Sequence, residues 1–141
     1  MLKVVCAIII NEQRILVTQL SPGTNRALQW EFPGGKIDPG ETAEAAVLRE
    51  IGEELAVEIK IREPMNAVIH SDGEKDFELI PFLCTIQSGE IKLIEHNEMR
   101  WVNFETLEKM ELSAADRQLI QHPDNRLILK KHTGENVHNA C

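Results

Sequence analysis

The sequence is poor in positive charge: 15 Lys plus Arg stand against 23 Asp plus Glu, a formal net charge of −8. Phosphate backbones are held by basic stripes and none runs through this chain, so duplex nucleic acid is not an expected partner. Long apolar runs are missing too. None approaches the roughly 18 residues that span a bilayer, so no membrane partner is expected. The apolar run at residues 4–10 is expected to be a buried strand and not a signal peptide, because Asn11-Glu12-Gln13 follows where small residues would be needed. Cysteine is sparse: Cys6, Cys84 and Cys141 are odd in number, far apart and without CxxC spacing. That excludes a zinc or redox pair and points to the cytoplasm. The histidines, His70, His96, His122, His132 and His138, show no ligand spacing and are expected to serve in packing or at the surface. Repeats, linkers and low-complexity tracts are also lacking. At 141 residues the chain has the length of one ordinary domain. A single domain over residues 1–131 is expected, with residues 132–141 as a flexible tail.

What is present is punctuated clearly. Residues 3–10 and 14–20 are β-branched-rich runs joined by a short polar connection, which reads as a β-hairpin. Residues 21–25 form a loop by turn chemistry. Trp30-Glu31-Phe32 is a short strand stopped by Pro33-Gly34-Gly35, where the glycine pair is expected to bend the backbone tightly. Pro39-Gly40 gives a second turn, and Thr42 is placed to cap a helix running to about Leu55. Val47, Leu48, Ile51 and Leu55 would form its apolar stripe, with Glu50, Glu53 and Glu54 on a neighbouring face. Strands follow at residues 57–61, 67–70 and 77–86, with Arg62-Glu63-Pro64 splitting the first two and Pro81 suggesting an edge or bulge in the third. Residues 91–94 and 100–102 read as two more strands. A short helix covers residues 104–110, and a longer one runs from its cap Ser113 to about Lys131, broken at Pro123. Strands around one central helix, with further helices at the end, predict an α+β fold: an α/β/α sandwich with a mixed sheet between helices.

The negative charge is concentrated in the central turn and helix: Glu41, Glu44, Glu50, Glu53 and Glu54, with Arg49 among them. Glu50 faces both Glu53 and Glu54 across one helical turn. Each such like-charge pair costs only about 0.2–0.5 kcal/mol on an exposed helix. Energy alone therefore admits either a solvated acidic face or a site for a hard cation. The Gly-rich turn upstream favours the second, because hard cations take oxygen ligands from carboxylates and backbone carbonyls.

From Gly35, five residues lead to Glu41, and seven more to Arg49-Glu50-Ile51-Gly52-Glu53-Glu54-Leu55-Ala56-Val57. This resembles the Nudix box, G-x5-E-x7-R-E-U-x-E-E-x-G-U with U aliphatic. One fixed position departs: Ala56 stands where the family usually has Gly, at the helix end, where a left-handed residue is favoured. Trp30 through Ile37 is similar to the MutT branch, whose members hydrolyse nucleoside triphosphates. Another departure is Leu20, where relatives often carry an Arg that contacts substrate; Arg26 or Lys36 could take that role.

The resemblance implies a Nudix-type fold and hydrolysis of a nucleoside diphosphate linked to another moiety. For a (deoxy)nucleoside triphosphate the products are the monophosphate and pyrophosphate, with an oxidised purine such as 8-oxo-dGTP as one substrate and CTP or dCTP as the alternative. A nucleotide-binding module that has lost the chemistry is the reading from another class, and it should show damaged ligands. Mg²⁺ is the implied cofactor, with Mn²⁺ able to take its place. By resemblance the Gly34 carbonyl, Glu50 and Glu54 hold metal and Glu53 completes the cluster. Glu95, six residues before Trp101, is an extra ligand or base, or else an ordinary loop glutamate. Arg49 and Glu41 orient these groups, and the base is one of Glu50, Glu53 and Glu95. Substrate would be held by Glu31, Phe32, Pro33, Gly34, Lys36 and Asp116, with Asp116 reading the base edge or, more plainly, stabilising a helix dipole. The partner implied is a small nucleotide, and the protein is a monomer or homodimer.

Overall fold

The computed structural model describes residues 1–23 and 28–134. Thr24 and Asn25 of the expected loop, Arg26, and the tail at 135–141 lie outside the described residues. The order of elements is β1 (Leu2–Asn11), β2 (Arg14–Gln19), β3 (Trp30–Glu31), β4 (Gly34–Lys36), α1 (Ala43–Leu55), β5 (Glu58–Pro64), β6 (Val68–Ser71), β7 (Asp76–Ser88), β8 (Glu98–Val102), α2 (Phe104–Lys109), α3 (Ala114–Gln121) and α4 (Pro123–His132).

The organising strand is β1. It pairs in parallel with β7 from Leu2↔Phe77 to Ile9↔Cys84, antiparallel with β4 on its other flank, and with β2 at its far end. Its side chains alternate between two cores. Val5, Ala7 and Ile9 pack with Val47, Ile51 and Leu55 of α1, while Cys6 and Ile8 pack with Phe104, Leu107, Leu119 and Leu129 of α2, α3 and α4. A strand buried on both faces reads as one continuous apolar run, which is the pattern of residues 4–10. The result is the expected mixed sheet between helical layers.

Several elements differ from expectation, each for a physical reason. Gly34 and Gly35 are not a turn; they form β4, in register with Cys6 and Val5. Glycine is needed there for room. A Cβ on Gly34 would lie 2.7 Å from the Cα of Cys6, and one on Gly35 would lie 2.6 Å from Oε1 of Glu50. The true turn is at Gly40, whose φ is +80°. Leu48 is 44% exposed, and the buried stripe of α1 is instead Ala46, Val47, Ile51, Glu54 and Leu55. Strand β5 continues through Arg62-Glu63-Pro64, accommodating a register shift between Ile61 and Glu63. Pro81 sits in the middle of the sheet, not at its edge. Its carbonyl accepts from the Met65 N–H at 3.0 Å, so its nitrogen faces the same flank, where residues 65–67 interrupt the neighbouring strand and need no donor.

Residues 91–94 form no strand. Their N–H groups serve the end of α1 instead: Lys92 donates to the Leu55 carbonyl at 2.9 Å and Ile94 to that of Glu54 at 3.1 Å. Helix ends leave carbonyls without intrahelical partners, and this segment supplies them. The final helix reaches His132, and Thr133 is buried with its hydroxyl donating to the Leu129 carbonyl at 3.0 Å. No helix among the described residues is long and apolar enough to cross a membrane.

Candidate active site

Helix α1 begins where the Thr42 hydroxyl accepts from Ala45 N–H at 3.1 Å, which fixes the rotation of every carboxylate that follows. Arg49 then gathers them. Its Nε donates to Oε2 of Glu41 at 2.7 Å and Nη2 to Oε1 of the same carboxylate at 2.9 Å, a two-pronged grip. Its Nη1 reaches Glu50 at 3.0 Å and Glu53 at 3.2 Å, and Nη2 also donates to the Lys36 carbonyl at 3.1 Å. Hydrogen bonding to Arg49 first, and to the Asp38 backbone second, pulls the Glu41 carboxyl down to about 2. Arg49 thus ties β4 to α1 and holds Glu41, Glu50 and Glu53 in one network.

The same geometry aims Gly34. In the β1–β4 ladder, Pro33 O accepts from Ala7 N–H and Lys3 O from Ile37 N–H, so Gly34 and Lys36 fall in the alternating positions that do not bond β1. The Lys36 carbonyl is the one that Arg49 reaches. By the same parity the Gly34 carbonyl faces off β1 on that flank.

Glu54 is the anomaly of α1: it points into the protein, 4% exposed. Burial is the first cause that pushes its carboxyl up to about 9, followed by the hydrogen bond and charge of Glu50 and the charges of Glu95 and Glu31. Glu95 itself is exposed on the segment before β8, with its carbonyl accepting from the Ser21 hydroxyl at 3.0 Å. The donors around Glu54 are hard oxygens, and a buried carboxyl bonded to a second one is a place where a cation would relieve repulsion, so the residues fit Mg²⁺. Among the described residues no group of three His, Cys, Asp or Glu already has the arrangement that would hold a metal ion. Glu50 and Glu53 are turned toward Arg49.

On the other side of β4 lies a cavity of about 520 Å³. Glu31, Phe32, Gly34, Lys36 and Asp116 line it, as do Cys6 and His70. Pro33 does not line it; its carbonyl is engaged by Ala7, so its place is in the ladder. Asp116 is 5% exposed at the start of α3, behind its cap Ser113, and accepts the Phe32 N–H on Oδ2 at 2.9 Å. The thiol of Cys6 is pushed well up, by burial first and by the charge of Asp116 next.

Two histidines expected to serve in packing or at the surface belong to this region. His70 lies on the cavity wall, its Nδ1 3.0 Å from Oε1 of Gln118. His96 lies between Glu31 and Glu54, with Nε2 at 3.0 Å from the first and 3.8 Å from the second. Neither has a partner at ligand spacing in sequence. The one available signal for His96 was its position next to Glu95.

Comparison with known proteins gives the family and the fold. The NUDIX domain model matches residues 2–122. The CTP pyrophosphohydrolase of Escherichia coli K12 is 30% identical over 121 residues, covering 86% of this chain and 90% of its own. The 8-oxo-dGTP diphosphatase of Proteus vulgaris is 37% identical over 62 residues, covering 44% of this chain and 55% of its own. The crystal structure of the MutT protein from Methanosarcina mazei superposes with a TM-score of 0.78 at 29% identity, covering 89% and 94% of the two chains. With the family's domain spanning most of its length and the same fold around an acidic helix, the chain belongs to the MutT-like Nudix hydrolases.

Proposed function

We propose that the protein hydrolyses a (deoxy)nucleoside triphosphate to the monophosphate and pyrophosphate with Mg²⁺, a guanine nucleotide of the 8-oxo-dGTP kind being the first candidate. One observation carries the reading: an acidic network and a nucleoside-sized cavity lie on either side of the same short strand, Gly34–Lys36. Relatives named for nucleotide hydrolysis, including one for 8-oxo-dGTP, support the substrate class.

In this reading Glu50, Glu54, Glu53 and Glu95, with the Gly34 carbonyl, hold the metal. When bound, Mg²⁺ supplies neutralisation of the polyphosphate charge and acidifies water. Arg49 keeps the carboxylates spaced through Glu41, Glu50 and Glu53, so little reorganisation is needed as charge develops. Of the three candidate bases Glu50, Glu53 and Glu95, Glu53 takes the proton of the attacking water in this reading, supported by its side chain being 56% exposed. Oxygen from that water bonds to the inner phosphorus, the phosphoanhydride bond breaks, and pyrophosphate leaves with the electron pair. Lys36 lies at the mouth of the cavity, where it can meet phosphate charge. Asp116 and Phe32 face the base, the carboxylate accepting from its N–H groups.

A cytidine nucleotide is the second reading, favoured by the relative named CTP pyrophosphohydrolase and by an acidic acceptor that suits an exocyclic amine equally well. A pure binding module is disfavoured because every carboxylate of the Nudix pattern is present. The deciding experiment is a panel of normal and oxidised nucleoside triphosphates with Mg²⁺, scored by pyrophosphate release. Highest kcat/KM on a guanine or 8-oxoguanine triphosphate is expected. Turnover confined to other nucleoside diphosphate derivatives would overturn the proposal, and preference for CTP would select the second reading.

A further inference from the structure

His96 stands between the acidic network and the cavity, and neither the Nudix pattern nor the reaction above gives it a task. Its side chain is 5% exposed, and the Glu31 and Glu54 side chains it touches are 18% and 6% exposed. Both contacts fall on one atom: Nε2 is 3.0 Å from Oε2 of Glu31 and 3.8 Å from Oε1 of Glu54. The other ring nitrogen, Nδ1, is buried with no hydrogen-bond partner among the described residues. The 3.0 Å contact is a hydrogen bond and the 3.8 Å contact is an electrostatic one beyond hydrogen-bond reach; the Glu31 carboxylate accepts, so the tautomer that satisfies it carries its proton on Nε2. Nothing on the Nδ1 side orients the ring.

Its position comes instead from the backbone on either side. Ile94 N–H donates to the Glu54 carbonyl at 3.1 Å, Asn97 N–H donates to Gln19 O at 2.9 Å, and the Ser21 hydroxyl holds the Glu95 carbonyl at 3.0 Å. The segment is therefore pinned before and after His96, to α1 on one side and to β2 and the turn after it on the other. An imidazole whose flanking backbone is pinned, with its one N–H donating to Glu31 while Glu54 lies 3.8 Å away, is in a position to hold both carboxylates.

We propose that His96 is a positioning residue: through one Nε2–H it aligns Glu31, a wall of the nucleoside cavity, with Glu54, a carboxylate of the metal-holding cluster. The inference rests on the functional reading of those two glutamates given above. It predicts that losing the donor disturbs substrate binding and metal binding together, although the two groups lie in different parts of the site. A side chain that merely fills space would be replaceable by any other of its size.

Two near-isosteric variants separate these cases. The carboxamide nitrogen of Gln reaches the place of Nε2, and that of Asn reaches only the place of Nδ1. Mg²⁺ binding to the substrate-free protein is measured by calorimetry, and kcat and KM are measured on the best triphosphate of the panel. H96Q is expected to stay within about threefold of wild type. H96N is expected to weaken Mg²⁺ binding by about 10–100-fold, the usual effect of losing a partner behind a metal ligand, and to raise KM more than it lowers kcat. Thermal melts establish folding, and H96L replaces H96N if the latter does not fold. The proposal is overturned if the two variants behave alike, whether both intact or both impaired, or if only one of the two readouts moves. Should the wild type turn over no triphosphate, the proposed reaction fails, while the Mg²⁺ titrations still decide the role of His96.

Discussion

Gly34 and Gly35 are neighbours with different reasons for lacking a side chain, and substitution separates them. A Cβ on Gly34 would press on the backbone of Val5 and Cys6 in the central strand. Gly34→Ala should therefore destabilise the fold by roughly 1–3 kcal/mol, as overpacking does, read as a drop in denaturation midpoint. A Cβ on Gly35 meets only the carboxylate end of Glu50, which can swing. Gly35→Ala should leave the midpoint close to wild type and lower kcat at least tenfold; equal loss of stability in both variants would contradict this assignment. Glu54 gives the pH-dependence. Its folded carboxyl lies near 9 against an ordinary 4.5, so its contribution to stability is complete below about 4.5 and is lost progressively as pH rises toward 9. In chelator, the wild-type melting temperature should fall across pH 5 to 9, and Glu54→Gln should flatten that slope. Glu41 acts with the opposite sign: its carboxyl is held near 2, so its contribution is present above 4.5 and is lost as pH falls toward 2.

At the level of elements, α1 was the most legible part of the chain: its cap and extent follow from turn chemistry and period, although the period grouped Glu54 with Glu50 and Glu53 where the structure buries it. Its end was legible as well. Ala56 adopts φ 59°, ψ 32°, the left-handed conformation that a residue with a Cβ adopts at a cost. Ala56→Gly should raise stability by about 0.5–1 kcal/mol in chemical denaturation and leave kcat unchanged. Other parts were hidden for definite reasons. Gly34-Gly35 looked like a turn because glycine is usually needed for unusual φ, whereas here it makes space. Residues 91–94 looked like a strand because they alternate, yet their N–H groups are taken by carbonyls of α1, a partner no local pattern announces. His96 and His70 enter the site through pairings between residues far apart in sequence, which a single chain read in order does not display.

Across the whole molecule, a net charge of −8 and a substrate that is itself polyanionic cannot meet productively without cations between them. Under the proposed function, Mg²⁺ at a hundred times its dissociation constant should add about 2.7 kcal/mol of stability. Because Glu54 must give up its proton for the metal, that binding should strengthen from pH 6 to pH 8.5. Differential scanning calorimetry at the two pH values with fixed Mg²⁺ checks this, and a smaller metal-induced shift at pH 8.5 would count against Glu54 as a ligand. Activity should vanish in chelator and return with Mg²⁺ or Mn²⁺.

The pairing of β1 with β7 has a further consequence, for how the molecule comes into being. Leu2 to Ile9 must find Phe77 to Cys84 across more than half of the chain, in the parallel sense, and the face on which α1 docks does not exist until they meet. Closing so long a loop precedes most of its rewards, which slows refolding relative to helical proteins of similar size. During synthesis the strand made first waits for one of the last, with its edge open meanwhile. The carboxylates of α1, close in sequence and easy to recognise there, thus depend for their setting on a contact between distant parts of the chain.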